Sequence, residues 1–208
     1  MESPLFPTQV FSDDFESVYE PSEDTFVLMD AIQQDLPLIQ QIKPLVCVEV
    51  GCGSGAVITS LAKATDFNGK ALSTTRKCGS VNGVEGCVQL VRTDLTQAIE
   101  SRLSHSIDLL LFNPPYVPTL PQEVGVCDIS GSWAGGVDGR QVIDRFLPTV
   151  PSLLSDNGLL YMIVVKENKI SEICDQMKAI NFQMTVVLER KAGAEHLMAL
   201  RFNRCPVI

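Results

Sequence analysis

Residues 44–55, PLVCVEVGCGSG, run a short β-branched apolar stretch straight into three alternating glycines. A strand that stops on a glycine turn and is followed by a helical stretch, here AVITSLAKA, opens a parallel α/β unit. Five later apolar runs repeat the strand signal: CVQLVR (87–92), IDLLLF (107–112), GLLYMIVV (158–165), FQMTVVLE (182–189) and HLMALRF (196–202). Most are continuous rather than alternating, the pattern of strands covered on both faces. Helical spacing is present near 97–103, 139–147 and 170–180. A further helix opens at Pro21-Ser22, carries Glu23 and Asp24 in its first turn, and is expected to end at Pro37. The last two strands have no long helix between them, which predicts one antiparallel strand at the sheet edge. The expected architecture is α/β, a mostly parallel sheet with helices on both faces, as one domain over 1–208 whose first twenty residues are irregular.

Composition narrows the function. The chain has 208 residues, 45% apolar and 20% charged, as an ordinary globular domain has. It has no run of 18 uninterrupted apolar residues, so no membrane span is expected. The start, MESPLFPTQVFSDDFE, lacks a basic patch leading into an apolar core, so no secretory signal is expected. Seven cysteines form no C-x-x-C pair, and the two histidines, His105 and His196, are poor material for a zinc site or a catalytic triad. Reduced thiols in a cytoplasmic or nuclear protein are the expectation. A formal charge of −9 argues against gripping a phosphate backbone and favours positive partners.

Three motifs sit where strands end. In VEVGCGSG the glycines Gly51, Gly53 and Gly55 permit a tight turn and close approach of a ligand to the peptide groups. Their spacing is not the dinucleotide G-x-G-x-x-G, and Glu49 before them would repel a pyrophosphate but suits a ligand with an amino group and a sulfonium. In TDL, Asp94 ends a neighbouring strand, where it serves either as a ligand acceptor or as a helix cap. In FNPPY, Asn113 offers an uncharged acceptor at the sheet's carboxyl edge, and Pro114 and Pro115 fix two φ angles that hold the Pro114 carbonyl still as a second acceptor. Tyr116 would add a flat face against a planar group. Such a clamp suits a weak nitrogen nucleophile that must be aligned with a methyl donor. The stretch SWAGGVDGRQVIDRF holds the lone tryptophan in a glycine-rich loop, either a substrate rim or a packed anchor.

With these residues in view the sequence resembles the Rossmann-like class I S-adenosylmethionine-dependent methyltransferases, and among them the eukaryotic HemK-type enzymes. VYEPSEDTF, EVGCGSG, TDL, FNPPYVP, PQEVG, WAGG-x-x-GR and KEN carry the resemblance over nearly the whole chain. The resemblance implies N5-methylation of the GGQ glutamine of a class 1 translation release factor, with S-adenosyl-L-methionine as cofactor. It implies that Thr25, Glu49, Gly51, Gly53, Asp94 and Leu95 line the cofactor site. Asn113, Pro114, Pro115 and Tyr116 would bind the target amide, with Asn113 touching both ligands. It further implies a heterodimer with a small zinc-binding activator subunit, and it extends to histone lysine and to DNA adenine as other methyl acceptors.

The resemblance also implies a second strand ending in an acid that bonds the cofactor's ribose hydroxyls. In its place stands NGKALSTTRKCGSVNGVEG, without a strand-grade apolar run, so the strand and its acid are expected to be missing and the cofactor strongly weakened. Three readings follow: a protein-amide methyltransferase, a DNA adenine methyltransferase, or an impaired chain that only docks on the activator subunit.

Overall fold

The structure is a computed structural model that describes residues 12–60, 63–66, 68–125 and 129–206. Helix α1 (Glu23–Gln34) begins after Ser22, whose backbone is extended and whose N–H donates to the Thr25 hydroxyl at 3.4 Å. Val27, Leu28, Ala31 and Ile32 recur every three or four residues, so one stripe of α1 is buried. Helix α2 (Leu36–Ile42) follows at once with Pro37 in its first turn. Pro37 therefore opens a helix instead of ending one, because it lacks only an N–H that a first turn leaves unpaired.

Beyond these lie β1 (Cys47–Val50), β2 (Lys63–Asp66), α3 (Gly69–Val81), β3 (Gln89–Arg92) and β4 (Ile107–Phe112). Then come β5 (Val117–Pro118), β6 (Ala134–Gly136), α4 (Gln141–Phe146), α5 (Val150–Leu153) and β7 (Leu154–Val165). Helix α6 (Ile170–Ala179) and strands β8 (Phe182–Ala192) and β9 (Glu195–Arg204) complete the order. Seven strands form one sheet in the order β3-β2-β1-β4-β7-β9-β8, while β5 and β6 form a separate parallel pair. In the sheet β9 alone runs antiparallel, and it lies between β7 and β8 rather than at the edge. Burial explains the swap. Leu197, Ala199, Leu200 and Phe202 of β9 are fully buried, whereas β8 is largely exposed and takes the outer place. Over 97–103 the chain makes successive turns, not the expected helix.

The period of two in each inner strand divides the core. Val48, Val50, Leu110, Phe112, Leu160 and Met162 face one side and pack with Ile143 and Phe146 of α4. Cys47, Leu109, Leu111, Tyr161 and Ile163 face the other and pack with Val27 and Leu28 of α1.

The second strand is present, which overturns the expectation that it and its acid are lost. Strand β2 pairs in parallel with β1 (Glu49 opposite Ala64) and with β3 (Asp66 opposite Arg92), so the sheet is continuous there. What is short is the connection before it. The described residues of 51–62 hold no α-helix, only a 3-10 turn over Ile58–Ser60, where AVITSLAKA had read as a helix. A parallel crossover needs about a dozen residues and is usually helical. Here ladders on both sides of β2 outweigh the local helical pattern.

Helix α3 closes over the shortened turn. Asn68 caps it by accepting from the Lys70 N–H at 3.0 Å, and the Thr75 hydroxyl donates to the Gly53 carbonyl at 3.1 Å. Gly55 has φ +83, and a Cβ there would lie 2.8 Å from the Thr75 Cα. Gly55→Ala is therefore expected to cost about 2–4 kcal/mol from backbone strain plus overpacking, read as a lower urea midpoint at unchanged slope.

Candidate active site

The carboxyl ends of β1, β2, β3 and β4 open on one cavity of about 430 Å³. This is the edge at which open α/β sheets bind ligands. Strand β1 delivers Glu49 and then Gly51; β2 delivers Asp66; β3 leads to Asp94 and Leu95; β4 delivers Asn113. Helix α1 contributes Asp24 and Thr25 from its first turn, and residues Ser17 to Tyr19 close one side. That N-terminal segment is tied to α3, because the Asn68 side chain donates to the Ser17 carbonyl at 3.2 Å and Lys77 pairs with Asp14 at 2.6 Å.

Asp66 is the acid at the end of the second strand. It is 6% exposed; Oδ2 accepts the Gly53 N–H at 3.0 Å and Oδ1 the Asn68 N–H at 2.8 Å. It thus holds the glycine turn and faces the cavity at once. Gly51 and Gly53 both have positive φ, 68° and 51°. A Cβ on Gly53 would meet nothing within 4 Å, so its backbone borders open space. Among the described residues the glycine turn leads into a 3-10 turn, not into the expected α-helix with its free N–H groups.

Charge on the cavity wall is one-sided. Asp24, Glu49, Asp66 and Asp94 line it, against Arg145 as the single basic side chain among the described residues. Arg145 of α4 pairs with Asp94, both half-exposed. Asp94 therefore neither caps a helix nor stands alone. Burial pushes the Glu49 carboxyl well above the ordinary glutamate range; the Ile58 N–H opposes that shift, and the Asp66 charge adds to it. A raised folded value means stability that is present below the unfolded glutamate pKa and lost as pH rises through the folded one. Glu49→Gln is expected to raise the melting temperature of the ligand-free chain at about pH 8 and to leave it nearly unchanged at about pH 4.

Asn113 enters the cavity with one end of its amide bonded and the other free of protein partners among the described residues. Its Nδ2 donates to Asp24 Oδ2 at 2.8 Å, and its Oδ1 is buried with no hydrogen-bond partner among the described residues. A buried acceptor without a partner costs about 1–3 kcal/mol, which a ligand N–H would recover. Pro115 lines the cavity beside it, while Pro114 is buried behind and does not. Tyr116 departs from the expectation of a stacking face. It lies 6% exposed in the core on the α1 side, donates its hydroxyl to Glu195 at 3.3 Å, and does not line the cavity. Burial, then the Asp24 and Glu195 charges, raises its phenol and keeps it protonated. The alternation of the strand breaks at the two prolines, so residue 116 cannot be placed by period.

The rim is held from behind. Asn168 of the KEN stretch is fully buried; its amide donates to the Tyr116 and Asp138 carbonyls at 2.8 and 2.9 Å and accepts from the Val165 N–H. Gly139 must be glycine for this closure, since φ is +67 and a Cβ would lie 1.8 Å from the Tyr116 carbonyl oxygen. Buried Arg140 donates to the Asn168 carbonyl and to Asp144. The stretch that holds the tryptophan thus backs FNPPY through Gly139 and Arg140 and also lines the cavity through Ser132, Val142 and Arg145, while Trp133 itself is exposed. Reading residue by residue missed Asp24, Asp66, Asn168 and Arg145. Asp66 had a local signal, an acid and an asparagine spaced Asp66-x-Asn68 before a helix, and Asp24 and Asn168 stand in the VYEPSEDTF and KEN stretches, but nothing local gave either its contact with FNPPY.

No family model matches the chain. It is 44% identical over 199 residues to methyltransferase HEMK2 of Homo sapiens, covering 91% of each chain. It is 35% identical over 213 residues to the eRF1 methyltransferase catalytic subunit mtq2 of Schizosaccharomyces pombe, covering 92% of this chain and 91% of that one. Among solved structures it matches a chain of the E. cuniculi Mtq2–Trm112 complex, which is responsible for methylation of the eRF1 translation termination factor. That match has a TM-score of 0.66 and 28% identity, over 90% of this chain and 98% of that one.

Proposed function

The chain belongs to the HEMK2 methyltransferase family, and on that footing we propose that it moves a methyl group from S-adenosylmethionine to a glutamine side-chain nitrogen in a protein. The proposed target is the GGQ glutamine of a class 1 translation release factor. The observation that carries this reading is the buried Oδ1 of Asn113, without a hydrogen-bond partner among the described residues, in an amide held at its other end by the Asp24 carboxylate.

The residues fit the cofactor. Three buried carboxylates, Asp24, Glu49 and Asp66, suit a ligand with a sulfonium and an ammonium group and would reject a pyrophosphate. Asp66 would hold the ribose hydroxyls, Glu49 and Thr25 the charged amino-acid end, and Asp94 with Leu95 the adenine. When bound, S-adenosylmethionine supplies an electrophilic methyl carbon.

The chain's own part is alignment. Asn113 Oδ1 accepts one hydrogen of the substrate amide, which turns the nitrogen toward the cavity and stabilises positive charge as it develops there. The walls exclude water on the apolar side, through Leu95, Phe112 and Val142. Neither histidine lines the cavity, so the proton released from the methylated nitrogen leaves to water. A neutral acceptor suits a neutral amide. The charge of −9 and the acidic wall give no grip on a duplex.

The E. cuniculi complex supports a small activator partner, which we take to be a zinc-binding subunit. Six described cysteines are free, in keeping with a cytoplasmic or nuclear setting. The test is incubation of the chain and activator with release factor and S-adenosylmethionine, followed by mass spectrometry of the GGQ peptide. One added methylene on the glutamine is expected; an unmodified glutamine at adequate enzyme concentration removes the reading.

A further inference from the structure

We propose that Asp24 is a positioning residue that decides which end of the Asn113 carboxamide faces the reacting nitrogen. This deepens the proposed function and rests on it. Asp24 is 4% exposed, and its two oxygens have separate tasks. Oδ1 accepts the Thr25 backbone N–H at 2.7 Å and the Tyr19 hydroxyl at 3.3 Å. Oδ2 accepts Asn113 Nδ2 at 2.8 Å. A carboxylate has no proton to give, so only the NH₂ end of Asn113 can face it. The carbonyl end is thereby left turned away, buried and without a partner among the described residues.

An asparagine amide is nearly symmetric in shape, so nothing but its hydrogen bonds fixes its orientation. Turned over, Asn113 would present two donors to a substrate NH₂ that is itself a donor, and the clamp would repel its ligand. Tyr19 completes the lock. Burial and the Asp24 charge push its phenol up to about 12, so it remains a donor and holds Oδ1 as an acceptor.

A sharp consequence attaches to D24N. The Thr25 N–H and the Tyr19 hydroxyl still require an oxygen at the Oδ1 position. The new NH₂ group must therefore occupy the Oδ2 position, facing Asn113, which then turns over to accept it. The double variant D24N/N113D restores the arrangement with the partners exchanged. Its carboxylate at 113 accepts from the new amide and points its second oxygen, again an acceptor, at the substrate.

Two measurements test this on the chain with its activator. In single-turnover methylation of a GGQ peptide, D24N is expected to lose at least about a hundredfold in rate at saturating cofactor, with peptide affinity changed only a few-fold. The double variant is expected to recover at least about tenfold over D24N, which a merely structural Asp24 would not allow. Independently of catalysis, the Asn113 side-chain NH₂ signal, identified by its loss in N113D, is followed by hydrogen exchange in labelled protein. It is expected to be protected in the wild type and to exchange rapidly in D24N. Unchanged protection in D24N overturns the inference, as does a double variant no faster than D24N. A wild-type chain that transfers no methyl defeats the proposed function alone, and the exchange measurement still decides the role of Asp24.

Discussion

Asn113→Ala is expected to slow methyl transfer to the GGQ glutamine about 10²–10³-fold, the usual consequence of removing one preorganised group from developing charge. The size follows from the site's geometry. Asn113 directly follows β4, the strand between β1 and β7 in mid-sheet, and two prolines follow it in turn. Its Oδ1 is a buried acceptor with no competing donor among the described residues, so a substrate N–H gains the bond without displacing one of them. No histidine lines the cavity to share the work. Affinity for S-adenosylhomocysteine is expected to change only a few-fold, because the carboxylates of β1 and β2 stay in place. Single-turnover kinetics beside calorimetry separate the two quantities, and equal losses in both would assign Asn113 to cofactor binding rather than to alignment.

Asp66→Asn is expected to act the other way, weakening the cofactor far more than it slows the bound complex. A carboxylate can accept two hydroxyls of a ribose while keeping its bonds to the Gly53 and Asn68 N–H groups. An amide at the same place has one acceptor atom, so one of those N–H groups is left facing a donor. Hydrogen bonds to a charged group are worth about 1.5–3 kcal/mol each, so the dissociation constant for S-adenosylhomocysteine should rise roughly ten- to a hundredfold. Loss of the Gly53 contact should also loosen the turn, visible as faster amide exchange at residues 52–54. An unchanged dissociation constant would remove Asp66 from the ribose site.

Much of this arrangement could be read from residue order, and the failures have specific causes. IDLLLF was read to its true ends, 107 and 112, because a continuous apolar run bounded by polar residues has one interpretation in a buried sheet. The antiparallel pairing of FQMTVVLE with HLMALRF was foreshadowed by the missing helix between them, but not which of the two lies inside, against GLLYMIVV. That order depends on comparing how much each strand buries, a property of the finished sheet.

Asp66 was missed because AVITSLAKATDFN has the apolar spacing of a helix and its strand is only four residues long. Strand β2 exists by virtue of two neighbours far away in sequence, and a local reading cannot supply them. The shortened crossover was therefore mistaken for a lost strand. Tyr116 was misplaced for a related reason: the prolines end the alternation that would have assigned its face. Asp24 was legible as a helix-first-turn acid, but its second task depends on Asn113, which lies 89 positions along the chain.

One titration bears most directly on the whole account, since everything above requires that a chain with so short a link between β1 and β2 still forms a complete cofactor site around Asp66. Calorimetric titration of the chain, alone and with its activator, with S-adenosylhomocysteine is that measurement. Saturable one-to-one binding in the micromolar range, weakened by Asp66→Asn, is the predicted result. Absence of binding by a chain that unfolds cooperatively would contradict it.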